Sequence, residues 1–250
     1  ASRGLGDVYK RQAYSTNIET EETDTTTNSV KIKHNSDDDY YFTEALPEDE
    51  KTSVDTYKGF YIGRYEAGDK ESTEAKTLRS SADATKTVTI KANQAPYNLV
   101  TRAQAISLAE GFATKQVYKA KTKLVSSYAW DTTIAFIQKV NSDYGSSTPQ
   151  GNYADTKITY VDITGTSQTK AAKPSAVLVP TGQTTPVCNI YDMGGNVWEW
   201  TTELCSDING VYSNRGGTYQ GFYAEHPAGL RDRYSDISGD LGFRIALFID

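Results

Sequence analysis

The stretch Cys188-Asn189-Ile190-Tyr191-Asp192-Met193-Gly194-Gly195-Asn196-Val197-Trp198-Glu199-Trp200 holds the residues best spaced for chemistry. A glycine-containing turn runs into a strand, and a period of two places Trp198 and Trp200 on one face and Glu199 on the other. The Glu199 carboxylate, a second from Asp192 and the backbone carbonyls of the turn between them make a set of hard oxygen ligands suited to calcium. The same pattern also describes an ordinary strand with a solvated glutamate.

Other chemistries are poorly supplied. His34 and His226 are the only histidines, which excludes a His-rich metal centre and leaves little for imidazole acid–base work. Cys188 and Cys205 do not form a C-x-x-C pair. They either close a loop of about 17 residues as a disulfide, for roughly 3 kcal/mol, or stay as two thiols. Dinucleotide, P-loop, nucleophile-elbow and zincin signatures are absent from the sequence.

The elements that must position Asp192 and Glu199 can be read from periodicity. Tyr57 to Tyr65 alternates as an aromatic strand, and Thr87 to Ile90 reads as a second one. Thr101-Arg102-Ala103-Gln104 has the form of a capping box, followed by Ala105, Leu108, Ala109 and Phe112 at helical spacing up to a break near Thr114. Ser127 can cap a second helix with the apolar stripe Trp130, Ile134, Ile137 and Val140, closed by the turn Asn141 to Gly145. A long irregular excursion spans 146–186, and strands return at Val197 to Trp200 and Arg244 to Phe248. A strand, two helices, long loops and further strands indicate an α+β fold rather than alternating βαβ units.

The front of the sequence differs from the rest. Of the net charge of −6, residues 1–55 carry −7, so 56–250 stand at +1, and phosphate-driven nucleic-acid binding is not expected. Asp7-Val8-Tyr9-Lys10-Arg11-Gln12 resembles the translated mosaic end of a transposase used in sequencing libraries, so 1–12 is treated as adapter-derived. A leader, anchor helix or further domain ahead of residue 13 stays open. Residues 13–56, rich in Thr, Asp, Glu, Ser and Asn, read as an acidic linker or the remnant of an upstream module, with one strand around Ser29 to Lys33. The longest apolar run, Ile245 to Ile249, is too short to span a bilayer. Eighteen tyrosines against one methionine suit a recognition surface or a sheet-rich secreted protein.

The segment ending in Gly195-Asn196-Val197-Trp198-Glu199-Trp200 resembles the G-N-V-W-E-W signature of the formylglycine-generating enzyme family, the sulfatase-modifying factors. Gly59-Phe60-Tyr61-Ile62-Gly63-Arg64-Tyr65-Glu66, the two helices, Arg215-Gly216-Gly217-Thr218-Tyr219 and Gly242-Phe243-Arg244 are similar to further family motifs, in the family's order. The resemblance covers residues 57–250. It implies a variant of the C-type lectin fold, with two helices packed on short antiparallel sheets and long irregular loops. It also implies a structural calcium ion held by side-chain oxygens of Asp192 and Glu199 and main-chain oxygens of Gly195 and Val197. A second family calcium site would fall around Gly151 to Gly165.

Family members that oxidise a sulfatase cysteine to formylglycine bind copper(I) through two cysteines whose positions fall here on Gly221 and His226, so no copper is expected. The interval Tyr219 to Asp236 mixes aromatic, glycine, arginine and acidic residues without a sustained period, a composition closer to a paratope than to a core strand. In the C-type lectin fold it faces ligands. The expectation is therefore a non-catalytic, secreted or surface-exposed binding module of a bacterium or its phage. Its contacts would come from Tyr219, Phe222, Tyr223, Glu225, His226, Arg231, Asp232, Arg233, Tyr234 and Asp236, and its partner would be a protein or glycan. The alternatives are a formylglycine-generating oxidase and a variable protein of a diversity-generating retroelement, a class that mutates the same interval.

Overall fold

A computed structural model describes residues 12, 19–25, 29–34, 40–71, 88–115, 120–146, 148–172, 175–206 and 210–249. In sequence order come β1 (Glu19–Asp24), β2 (Ser29–His34), β3 (Tyr41–Thr43), α1 (Glu48–Tyr57), β4 (Tyr61–Ile62), β5 (Gly68–Asp69), β6 (Val88–Thr89) and β7 (Ala95–Pro96). There follow α2 (Arg102–Lys115), β8 (Lys121–Leu124), α3 (Ser127–Ile137), β9 (Ile158–Val161), β10 (Ser167–Lys170) and β11 (Trp198–Cys205). The last elements are β12 (Tyr212–Arg215), β13 (Arg231–Tyr234), β14 (Leu241–Phe243) and β15 (Ile245–Phe248). Among the described residues three helices, one more than the two expected, and short, mostly antiparallel sheets make up the expected α+β architecture.

Local chemistry sets the helix starts. The Thr101–Gln104 capping box forms in both directions: the Thr101 N–H donates to Gln104 Oε1 at 2.9 Å, and the Gln104 N–H to Thr101 Oγ1 at 3.2 Å. On α3 the cap is Ser126 rather than Ser127, its hydroxyl accepting from the Ala129 N–H at 2.9 Å. Because α3 ends at Ile137, Val140 leaves the apolar stripe and is 75% exposed, whereas Trp130, Ile134 and Ile137 are fully buried.

Two cores result. Ala105, Leu108 and Ala109 of α2 pack on Trp198, Trp200, Leu241 and Phe243, so the tryptophan face of β11 is the face that α2 covers. On α3, Trp130, Ile134 and Ile137 pack with Met193, Tyr144 and Ala228. Each large side group buried this way contributes about 1.5–3 kcal/mol of transfer free energy. Trp130 and Trp200 also satisfy their indole N–H groups, on the carbonyls of Ala228 (3.0 Å) and Val100 (2.8 Å).

The largest sheet has the order β1-β2-β3-β11-β12-β13, with β14 pairing parallel to β11. It takes in the segment expected to be a linker. β2 covers the strand anticipated there, but β1, β3 and α1 join it, and Ile32, Tyr40 and Phe42 form a third buried cluster with Cys205. Ile32, Phe42 and Tyr40 supply enough apolar surface to hold the strands, despite the acidic composition around them. Of the adapter-like residues only Gln12 is described; the rest lie outside the described residues, as do Thr26 and Thr27.

Two further expectations change. The aromatic run from Tyr57 is not one strand: α1 ends at Tyr57, Lys58 adopts a left-handed φ of 64°, and only Tyr61–Ile62 pairs, with β15. The excursion over 146–186 contains the β9–β10 hairpin, which ends at Lys170, whose buried ammonium donates to the carbonyls of Tyr153 and Thr156, the latter at 2.6 Å.

Candidate functional site

The turn into β11 is built around Asn196. At φ 62° it is fully buried, and its amide meets four partners. Oδ1 accepts from Asn152 Nδ2 (3.0 Å) and the Val179 N–H (3.1 Å), while Nδ2 donates to Glu66 Oε2 (2.8 Å) and the Val179 carbonyl (3.2 Å). Gly195 precedes it at φ 70°, where a Cβ would lie 2.5 Å from the Asn152 carbonyl, so no other residue fits there. These two residues aim Glu199 away from α2 and into a polar interior.

There Glu199 meets Arg244 through two contacts, Nε to Oε2 at 3.0 Å and Nη2 to Oε1 at 2.7 Å. The same guanidinium reaches the carbonyls of Gly63 (2.8 Å), Tyr191 (3.0 Å) and Asp192 (3.1 Å). Asp192 accepts from the Gly182 N–H at 2.5 Å and the Thr184 hydroxyl at 2.6 Å. Glu66 completes the group, accepting from Asn196 and from the Val197 N–H at 3.3 Å. Burial raises the pKa of Glu66, Asp192 and Glu199 alike, that of Glu199 to about 7 against the pull of Arg244; the like charges of Asp192 and Glu199 push Glu66 further up.

Three buried carboxyl groups thus lie around one guanidinium, which pairs with Glu199, and protonation or a cation would offset the remaining negative charge. Of the four expected calcium ligands, Asp192 and Glu199 lie in this group. Among the described residues no set of three or more His, Cys, Asp or Glu residues has metal-holding geometry, and Glu199 is turned onto Arg244. Asp192 and Glu199 supply anionic oxygen donors of the kind calcium takes, and here both carboxylates are engaged by protein donors. Sequence reasoning missed Glu66; its signal was a lone acid at the end of an aromatic-rich run.

A second buried polar group lies under the Tyr219–Asp236 interval. Arg231 contacts Glu19 (3.1 Å), Asp131 and Glu203 (3.0 Å), and Arg215 contacts Asp131 at 2.6 Å, all five residues being buried. Arg231 is therefore not a surface contact residue, contrary to expectation, because three other elements bring carboxylates to it. Burial and the like charge of Arg231 lower the pKa of Arg215, against the pull of Asp131, Glu203 and Glu19, of which Asp131 is the carboxylate in direct contact.

The rest of the interval is divided between support and surface. Tyr219 is half-buried, its N–H donating to the Asn196 carbonyl at 2.9 Å, and Tyr223 stacks edge-on to Tyr153. His226 packs edge-on to Trp198, with ring centroids 5.6 Å apart. Arg233 lies 3.8 Å over the Tyr40 ring, and Asp232 Oδ1 accepts from the Arg233 N–H. Phe222 (40%) and Tyr234 (41%) are exposed, as are Glu225 and Asp236. Beside Tyr234 a cavity of about 290 Å³ is lined by Val211, Arg233, Tyr234 and Ser235. The two cysteines are not joined to each other: Cys205 sits in the third cluster and Cys188, half-buried, in the left-handed turn before Asp192.

Gly221 and His226 adjoin one another, since a Cβ on Gly221 would lie 2.6 Å from His226 Nδ1. The fold brings these two positions together and fills them with a hydrogen and an imidazole.

Residues 48–249 match the family model described as the sulfatase-modifying factor enzyme 1-like domain, FGE-sulfatase. Several solved structures are similar to this one, three of them as follows. PvdO from Pseudomonas aeruginosa is 16% identical with a TM-score of 0.49, the match covering 93% of this protein and 99% of that one. CarF is 15% identical at 0.47, covering 93% of each, and variable protein 1 of Treponema denticola is 16% identical at 0.42, covering 93% and 91%. No curated protein matches.

Proposed function

We propose that this protein, which belongs to the sulfatase-modifying factor enzyme 1-like family, is a non-catalytic binding module that presents the Tyr219–Asp236 interval to a protein or glycan outside the cell. The observation that carries the reading is the Gly221–His226 pair. Thiolates at those two positions would make a two-coordinate copper(I) site, and one imidazole against a glycine Cα cannot. Exposed Phe222 and Tyr234 beside exposed Glu225 and Asp236 supply the aromatic and polar contacts of a recognition surface.

Calcium would be a structural ion of this module, held by Asp192, Glu199 and the main-chain oxygens of Gly195 and Val197. It would neutralise carboxylates and take no part in a reaction. The excess of buried carboxyl groups over guanidinium supports it.

Two measurements test the reading. Copper-supplied protein incubated with a cysteine-containing sulfatase peptide should consume no oxygen, and turnover would overturn the non-catalytic assignment. On a glycan array and a panel of cell-surface proteins, binding should weaken about tenfold or more with Phe222→Ala plus Tyr234→Ala. Undiminished binding by that variant would remove the interval as the binding surface.

A further inference from the structure

The contacts of the front strands converge on one residue at the base of the proposed binding interval. Glu19 and His34 are register partners, facing each other across β1 and β2. Together they take up hydrogen-bonding groups of Arg231. Glu19 Oε1 accepts the Arg231 N–H at 2.6 Å, and Oε2 accepts Nη1 at 3.1 Å. His34 Nε2 lies 2.6 Å from the Arg231 carbonyl; a carbonyl only accepts, so Nε2 carries the proton. Nδ1 then faces the Tyr40 hydroxyl at 2.8 Å. Tyr40 lies under the guanidinium of Arg233, two residues further along the same face of β13.

Glu19, His34 and Tyr40 all precede residue 48, where the family match begins. Among the described residues β1 pairs with no strand but β2, yet its first residue reaches β13 at the far end of the same sheet.

We infer that the front strands form a clasp on the base of the Tyr219–Asp236 interval: the β1–β2 hairpin holds Arg231, and Tyr40, just ahead of β3, lies under Arg233. The clasp fixes the start of β13 from three sides, holding the amide N–H, the carbonyl and the guanidinium of Arg231, and so sets how much the exposed residues on either side of it can move. Its value for recognition rests on the binding reading above: a pre-ordered loop gives up less entropy on contact. Release of the hairpin would loosen the interval and uncover a guanidinium and an N–H that now bind a carboxylate.

Amide hydrogen exchange without any ligand tests the clasp separately from the binding reading. Glu19→Gln and His34→Phe each remove part of the grip while roughly keeping residue size. Exchange over residues 228–237 should quicken about tenfold or more, as expected for loss of a charge-assisted hydrogen bond. Rates in Ala105–Ala113 of α2 and Ile245–Phe248 of β15 should hold. Glu22→Ala, on the exposed side of the same hairpin, should change nothing in the interval. Unchanged exchange over 228–237 in both variants would overturn the clasp. So would an equal acceleration across α2 and β15, which would mark Glu19 and His34 as general stabilisers. If either variant fails to fold, the other is read alone by the same criterion.

Discussion

Replacing Asp131 by alanine should be among the most damaging single changes in this protein. Its carboxylate is fully buried and links two arginines, Arg215 Nη2 at 2.6 Å through Oδ1 and Arg231 through Oδ2. After the change Arg215 keeps the Ser127 hydroxyl (3.1 Å) and the carbonyls of Gly229 (2.9 Å) and Leu230 (3.2 Å), but among the described residues no carboxylate in contact. Burial already lowers its pKa, so the guanidinium stays charged at a cost that Asp131 offsets. Breaking one partner out of a buried pair costs about 3–5 kcal/mol. For a protein of this length each kcal/mol moves Tm by about 2–4 °C, which gives a fall of about 6–20 °C. Urea denaturation should show a lower midpoint at an unchanged slope. Pairing the change with Arg215→Met should recover much of the loss, because the uncompensated charge goes with the arginine. A Tm lowered by less than about 2 °C in Asp131→Ala, or a double variant that loses the full sum of its two singles, would refute this role for Asp131.

Three other outcomes follow from the same geometry. Chelation of calcium should lower Tm, with a loss of up to about 2.7 kcal/mol of stability if the ion had been present at a hundred times its Kd, and an unchanged Tm removes Asp192 and Glu199 as ligands. Burial raises the Glu50 carboxyl to about 8, so the folded state binds more protons than the unfolded state between about pH 4.5 and 8, and stability attributable to this group falls as pH rises through that window. Glu50→Gln, which can still accept the Ser126 hydroxyl, should raise Tm at pH 8 and leave it nearly unchanged at pH 4, and equal effects at both values would contradict the shift. Lys170→Met should cost about 1–3 kcal/mol by leaving the Tyr153 and Thr156 carbonyls without their ammonium, and a melting curve that does not move would exclude that role.

What could be read from the sequence before its structure divides along physical lines. The capping box at Thr101, the stripe of α3 from Trp130 to Ile137 and the face alternation at Trp198, Glu199 and Trp200 are local patterns that form, although the stripe stops short of Val140 and its cap is Ser126. The buried ion network was not legible, because its members are separated in sequence: Glu19, Asp131, Glu203, Arg215 and Arg231 come from β1, α3, β11, β12 and β13. Arg231 accordingly looked like a surface contact in a loop of mixed composition. The front segment misled for a related reason. Its polar composition hid that Ile32, Tyr40 and Phe42 suffice for a small cluster once β11 offers an edge. On α3 a usable signal did exist, a lone acid at position 131 between Trp130 and Ile134 in a helix otherwise apolar on that side.

The joining of Glu19 to Arg231 bears on how the protein is made. The two residues are 212 positions apart, and a ribosome adding about 5–20 residues per second needs roughly 10–40 s to travel between them. Throughout that interval the acid that ends as one of the most buried groups in the molecule is in water, and β1 and β2 have no β13 on which to settle. Asp131 waits for Arg215 and Arg231 in the same way. Closure of this network therefore waits for the synthesis of β13, and a polypeptide released early, short of residue 231, keeps the carboxylates without the guanidinium that neutralises them.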